Sequence, residues 1–286
     1  MDNIQYMETI RNKISIIVPA FNAVDTILDT LNSVLNQTYA NYECIIVNDE
    51  STDNTFDVVN AFIDNHKSKF KLINIPNGGV SNARNVGVFY SNGQYILPLD
   101  SDDIIENNFL EKCLICFNEN QNLKLVYSEG ILFGDDNGLW NLPAYSYKKI
   151  LHYNMIGNSS MFLREDFERV GGYRKNMTQG LEDWDFWIAL LNIYDDKQVY
   201  KIGEPIFHYR VSNLSRRLTL HDSNEFNSML QNIVYNNFEI YNTHFSDIHN
   251  RIISFDYHHK MMQKWPMRVL MNLLNTISKM KKRLIK

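Results

Sequence analysis

Strand-like and helix-like patterns alternate through the first hundred residues, and that alternation leaves few folds open. Residues 14–19 (ISIIVP) form a β-branched run, the mark of a strand buried on both faces. Residues 25–36 carry Ile27, Leu28, Leu31, Val34 and Leu35 at helical spacing. The pattern continues with a strand at 42–47, a helix at 55–66 (Phe56, Val59, Phe62 and Ile63 inward), a strand at 70–75, a helix at 80–91 and a strand at 95–99. Such a chain predicts an α/β fold: a Rossmann-like, mostly parallel sheet flanked by helices. Sheets of this kind take ligands beyond the carboxyl ends of their strands.

The polar punctuation falls at those ends. Ala20, Phe21 and Asn22 follow the first strand, Asn48 and Asp49 the second, and Asn77, Gly78 and Gly79 the third. Asp100, Ser101, Asp102 and Asp103 follow the fourth. Crowded carboxylates repel one another and are costly to bury unless something cationic offsets them. Hard divalent ions such as Mg²⁺ or Mn²⁺ prefer carboxylate oxygens and share them with substrate phosphates. Taken alone, the acidic stretch fits either a metal site or a solvated turn with an Asp helix cap. Neither a Walker loop nor a G-x-G-x-x-G is present, so the usual NTPase and dinucleotide fingerprints are missing.

Composition narrows the class further. The chain has 286 residues, 44% hydrophobic and 13% aromatic, enough for a substantial core. Residues 267–286 hold six basic side chains and no acidic one; the whole chain has 28 basic and 33 acidic. Residues 1–266 therefore carry 22 basic and 33 acidic groups: an acidic body with a basic tail. Cys44, Cys113 and Cys116 do not make a disulfide framework, and Cys113 and Cys116 fall on an apolar helical pattern that reads as buried thiols. No stretch of 18 apolar residues or secretory leader pattern is seen, so the expected location is cytoplasmic.

Beyond residue 107 the pattern is mixed. Short strands are expected at 126–128, 131–133 and 159–164, a glycine-closed helix at 164–172, and an acid-led helix at 182–191. From about 221 the chain reads as helical to its end. Past Trp265 and Pro266, residues Val269, Leu270, Leu273, Leu274, Ile277, Met280 and Leu284 sit at helical spacing beside the basic residues. A basic amphipathic helix of this kind suits a membrane surface, its own domain or a second copy of the chain in a homodimer.

Several stretches in fixed order resemble the family 2 glycosyltransferases. They are residues 14–22 (ISIIVPAFN), 45–55 (IIVNDESTDNT), 79–87 (GVSNARNVG), 93–103 (GQYILPLDSDD), 171–173 (GGY), 180–185 (GLEDWD) and 208–210 (HYR). The resemblance covers roughly residues 12–215. It implies a GT-A fold over 1–220, followed by a helical C-terminal extension over 221–286. It also implies inverting transfer of a sugar from a nucleotide-sugar, with UDP the default carrier, to a glycan or lipid-linked glycan acceptor in cell-surface polysaccharide synthesis. A divalent metal, Mn²⁺ or Mg²⁺, assists. Nucleic acid is not an expected partner, and contact with the inner face of the membrane would run through 267–286.

Residue by residue, the resemblance implies that Asp102 binds the metal with His208, and that Asp100 and Ser101 contact the donor. Pro19, Ala20, Phe21 and Asn22 hold the nucleoside, and Asp49 accepts from the base edge. Here the family's usual glycine is replaced by Glu50. Asn77 and Arg84 match groups near the base and diphosphate; an ion pair from Arg84 to a strand-end Asp is the alternative. Asp183 matches the catalytic base, because the acceptor hydroxyl must lose a proton as it attacks. Glu182 and Trp184 are expected on the acceptor side, Trp184 as an apolar platform and Trp187 in the core. Arg210, Arg216 and Arg217 belong to a polar loop suited to closing over the diphosphate. Two alternatives are a sugar nucleotidyltransferase, whose glycine-rich phosphate loop is not seen after strand one, and an inactive nucleotide- or glycan-binding module.

Overall fold

The structure is a computed structural model that describes residues 8–191, 196–212, 224–246 and 248. The expected alternation is present: β1 (Ile10–Ala20), α1 (Ile27–Leu35), β2 (Tyr42–Asp49), α2 (Thr55–Asp64), β3 (Phe70–Ile75), α3 (Gly79–Phe89) and β4 (Gly93–Pro98). These four strands lie in the order β3-β2-β1-β4 and pair in parallel. The sheet continues through β8 (Met161–Leu163), β6 (Leu125–Gly134), β9 (Val199–Val211) and β5 (Ile104–Ile105), with β7 (Gly138–Trp140) paired to β6. β8 runs antiparallel to both β4 and β6, so the sheet is mixed beyond β4.

Side-chain alternation along the strands makes two cores, one on each face. Ile14, Ile16, Val18, Cys44 and Ile46 face one side, with Ile27 and Leu31 of α1, Val59 of α2 and Phe109 of α4 (Phe109–Glu119). Ile17, Ile45 and Val47 face the other, with Ala83 and Val88 of α3, Ile150 of α5 (Tyr147–Ile150), Phe167 of α6 (Arg164–Val170) and the aromatic face of α7 (Glu182–Leu191). Period two in the strands and near 3.6 in the helices is what lets both faces close.

Three details differ from the sequence reading. The two short strands expected at 126–128 and 131–133 are one strand, β6, because it pairs with β9 along its length and a shift in register absorbs the interruption. His208 lies within β9 rather than after a strand. Helices α8 (Asn224–Asn236) and α9 (Phe238–Thr243) insert Phe226, Leu230, Ile233 and Tyr241 into the same core as α7. Arg216, Arg217 and the basic stretch 267–286 lie outside the described residues. Cys44 and Cys113 are buried free thiols, and Cys116 is half-buried.

Candidate active site

The carboxyl edge of the sheet gathers the acids around one buried arginine. Arg84, on the inner face of α3, is 1% exposed. Its Nη2 donates to Asp100 Oδ1 at 2.7 Å and its Nη1 to Glu182 Oε1 at 2.8 Å. Burial works against the guanidinium charge, and Asp100 and Glu182 overcome it, raising the pKa well above its ordinary value. The guanidinium also lies 5.2 Å from the Tyr173 ring centre. The turn after β4 is thus tied to the start of α7. The strand-end ion pair is the role the structure displays for Arg84; its burial keeps it away from direct contact with a diphosphate.

Asn158 completes the hold on the acidic turn, donating to Asp100 Oδ2 at 2.6 Å and to Asp103 Oδ2 at 3.4 Å. Asp103 is fully buried and structural: it accepts the Arg210 N–H at 2.9 Å, and its carbonyl accepts the Thr30 hydroxyl. Burial, then Asp102 and Asp100, push its carboxyl well up. Asp102 is half-buried, and among the described residues no other side chain donates to its carboxylate; burial, then the charge of Asp100, raises it to about 6. Ser101 is half-buried, and its carbonyl accepts from Thr26.

Asp183 opens α7. The turn before it is strained: Gly180 has φ 101° and Leu181 φ 61°, an uncommon conformation for a bulky residue and one that clusters at functional sites. Asp183 Oδ1 accepts the Trp184 N–H at 2.7 Å, and Oδ2 accepts Asn154 Nδ2 at 2.8 Å. Burial, then Glu182, raises its pKa to about 7, against the lowering by Arg84 and the two hydrogen bonds. A carboxylate poised there suits proton abstraction at neutral pH. Glu182, by contrast, is committed to Arg84.

The β1 to β3 edge is a web of loop contacts. Asp49 is 4% exposed, and its two oxygens accept the Gly78 and Gly79 N–H groups at 2.8 and 2.9 Å, so the carboxylate holds the entrance to α3. Each oxygen keeps a further lone pair beyond this tie. Asn77 donates from its side chain to the Asp49 carbonyl and from its backbone to Glu50. Glu50 has φ 59°, so the backbone keeps the left-handed turn the family's glycine would take. Asn22 binds the Thr52 N–H at 2.8 Å, Pro19 and Ala20 are buried, and Phe21 is 47% exposed at the rim. A cleft of about 530 Å³ opens here, lined by Asn48, Glu50, Ser51, Phe56 and Asn74.

Two expected site residues are buried or paired. Trp184 is 1% exposed and donates Nε1–H to the Ile150 carbonyl at 2.6 Å, so it is core and offers no sugar platform; Trp187 is core as expected. The His208 ring is bonded to Glu106 at 2.7 Å. Among the described residues no three His, Cys, Asp or Glu side chains gather as a metal cage. Arg210 is part of β9 and is anchored to the Asp102 carbonyl and to Asp29. The residues that motif reading missed are Asn154 and Asn158; the only signal was the small and polar stretch 157–160 before β8.

The sheet collects acids at its carboxyl edge, with a further acid pair at a helix start, and its architecture is that of the GT-A fold. The family model for glycosyl transferase family 2 matches residues 15–171, and the chain belongs to that family. It is 32% identical over 193 residues to the chondroitin synthase of Pasteurella multocida, covering 66% of this chain and 20% of that protein. The chain thus spans about a fifth of that relative's length. It is 36% identical over 182 residues to an Escherichia coli UDP-Glc:alpha-D-GlcNAc-diphosphoundecaprenol beta-1,3-glucosyltransferase, covering 62% of this chain and 69% of that protein. Among solved structures, S. aureus TarS with UDP-GlcNAc superposes with TM-score 0.65 at 20% identity, covering 78% of this chain and 66% of that one. A mannosyltransferase from Pyrobaculum calidifontis with GDP-Man and Mn²⁺ superposes with TM-score 0.59 at 15% identity, covering 96% and 89%.

Proposed function

We propose that this family 2 enzyme transfers a sugar, with inversion, from a UDP-sugar to a hydroxyl of a glycan or lipid-linked glycan. Asp183 is the base. The observation that carries the reading is its half-buried carboxylate, raised to about 7 and tied through Glu182, Arg84 and Asp100 to the acidic turn after β4. The acceptor oxygen forms its bond to the anomeric carbon as that carbon's bond to the diphosphate oxygen breaks. The leaving diphosphate keeps the electron pair, and the hydroxyl proton passes to Asp183. Burial and the neighbouring acid keep the carboxylate basic enough for that step.

The acidic turn fits a divalent cation. Asp102 is raised by burial and by Asp100, and carboxylates crowded in this way favour a bound hard cation. Asp102 would hold the metal, His208 joining only after leaving Glu106, and the ion supplies Lewis-acid stabilisation of the charge gathered on the diphosphate. The relatives named for UDP-linked substrates and the neighbour with Mn²⁺ support this carrier and this cofactor. No helix among the described residues is long and apolar enough to cross a membrane. The basic stretch 267–286 is proposed as the membrane contact, and its deletion should release the protein from anionic liposomes.

A thermal-shift panel of UDP- and GDP-sugars, with and without Mn²⁺, tests the donor. A metal-dependent rise with a UDP-sugar supports the reading, and no shift with any donor refutes it. Asp183→Asn should keep that shift and lose transfer; full transfer by the variant rules out the base.

A further inference from the structure

Asn154 belongs to no motif and lies 29 positions before the residue it touches. Its amide is held at both ends. The side-chain oxygen accepts the Ile156 N–H at 3.2 Å within its own loop, and the nitrogen donates to Asp183 Oδ2 at 2.8 Å. Only the oxygen can accept and only the nitrogen can donate, so the two partners together settle which way the amide points. The loop that carries it is anchored to the other half of the site four residues on, where Asn158 holds Asp100.

Resting on the base role assigned to Asp183 above, we propose that Asn154 is a positioning residue for that base. Asp183 Oδ1 is occupied by the first turn of its own helix, through the Trp184 N–H. Asn154 takes a lone pair of Oδ2, which fixes the rotation of the carboxylate and leaves its remaining lone pairs for the acceptor's proton. A donor aimed at a carboxylate favours its ionised form. That matters here because the other groups facing Asp183 disagree. Glu182, beside it on α7, opposes ionisation; Arg84 from α3 favours it; Tyr173 faces it as well. With Arg84 and the Trp184 N–H, Asn154 pushes toward the ionised base, and it does so without adding charge.

The test compares Asn154→Ala and Asn154→Ser with Asp183→Asn and the unaltered chain. Carbonyl-detected NMR of protein labelled at the aspartate carboxyls follows the titration of Asp183 with no substrate present; Asp183→Asn identifies the signal. Release of UDP from UDP-glucose and UDP-N-acetylglucosamine with Mn²⁺ is followed across pH 5–9. Asn154→Ala should move the Asp183 titration and the acid limb of the rate profile upward together. It should lower kcat at pH 7 roughly tenfold to a hundredfold, the size expected for a hydrogen bond to a charged group, with KM for the donor unchanged. Asn154→Ser, which keeps a donor, should lie between.

An unmoved Asp183 titration in a folded Asn154→Ala variant overturns the proposal. So does a rate loss accompanied by an unchanged pH profile, which would mark a structural role. If Asn154→Ala does not fold, the Asn154→Ser titration decides by the same criteria. Should Asp183→Asn retain UDP release, it is the base reading that fails; should only the Asn154 variants behave like the unaltered chain, the base stands and the positioning role falls.

Discussion

Arg84→Met removes the one cation that spans Asp100 and Glu182, and the structure sets the size of the effect. The Arg84 side chain is 2% exposed, Glu182 12% and Asp100 31%. Breaking a buried ion pair by deleting one partner typically costs about 3–5 kcal/mol, because the other charge is left behind in a poor solvent. Asp100 is the more exposed acid and keeps its bond from Asn158, so most of the loss falls on Glu182. The expected cost is about 3 kcal/mol, or roughly 6–12 °C in Tm for a chain of this size. Methionine fills much of the arginine's volume, which confines the change to charge and hydrogen bonding. Urea unfolding of Arg84→Met, Glu182→Gln and the double variant measures it. Because the orphaned carboxylate is the cause, the double variant should recover about half of the loss or more. A single variant within about 1 kcal/mol of the unaltered chain refutes the reasoning, as does a double variant whose cost is the plain sum of the two singles.

Three further outcomes are expected. Burial raises the Asp183 carboxyl from 3.8 to about 7, so the folded chain binds this proton more tightly than the unfolded one; its contribution to stability is fully present below about pH 4 and is lost as pH rises to about 7. Asp183→Asn should therefore gain about 2 kcal/mol on the unaltered chain between pH 5 and pH 8 in urea unfolding, and parallel pH curves would count against the shift. Trp184→Phe keeps the core but leaves the Ile150 carbonyl without its partner; it should cost about 1–3 kcal/mol in thermal unfolding with kcat unchanged, and a large rise in acceptor KM would restore the platform reading. Gly172→Ala should be among the more damaging small substitutions. The residue has φ 78°, and a Cβ there would meet Asn85 Oδ1 at 2.6 Å and Phe167 at 2.8 Å, so a loss of about 2–3 kcal/mol is expected by chemical unfolding, and a neutral variant would show that this turn can relax.

The glycine shows how motif and structure divide the explanation. The sequence marks Gly171, Gly172 and Tyr173 as a family signature but offers no cause. The structure supplies one: Asn85 accepts the Tyr173 N–H and donates to its carbonyl at the spot a Cβ would occupy, which seats Tyr173 under Arg84.

The same division runs through the molecule. Strand and helix order through β4 was legible because each element announces itself locally, by period two or near 3.6 within a short window. Asp100, Asp102 and Asp183 could be singled out because their spacing within motifs is also local. That Asp103 is buried and bonded to Arg210 and Thr30 came only with the structure. The partners were not legible. Arg84 meets Glu182 across 98 positions and Asn154 meets Asp183 across 29, and no short window contains either pair. Trp184 looked available because helical spacing says which residues share a face, not what covers that face. The two N–H groups that Asp49 accepts from the next loop were not legible, because a strand-end carboxylate carries no sign of them. By itself the sequence determined the alternating fold, the family and the acids at the sheet's edge. Only the tertiary structure decided which of those acids are occupied, since a side chain's partner, burial and proton affinity depend on elements that meet only once the chain has folded.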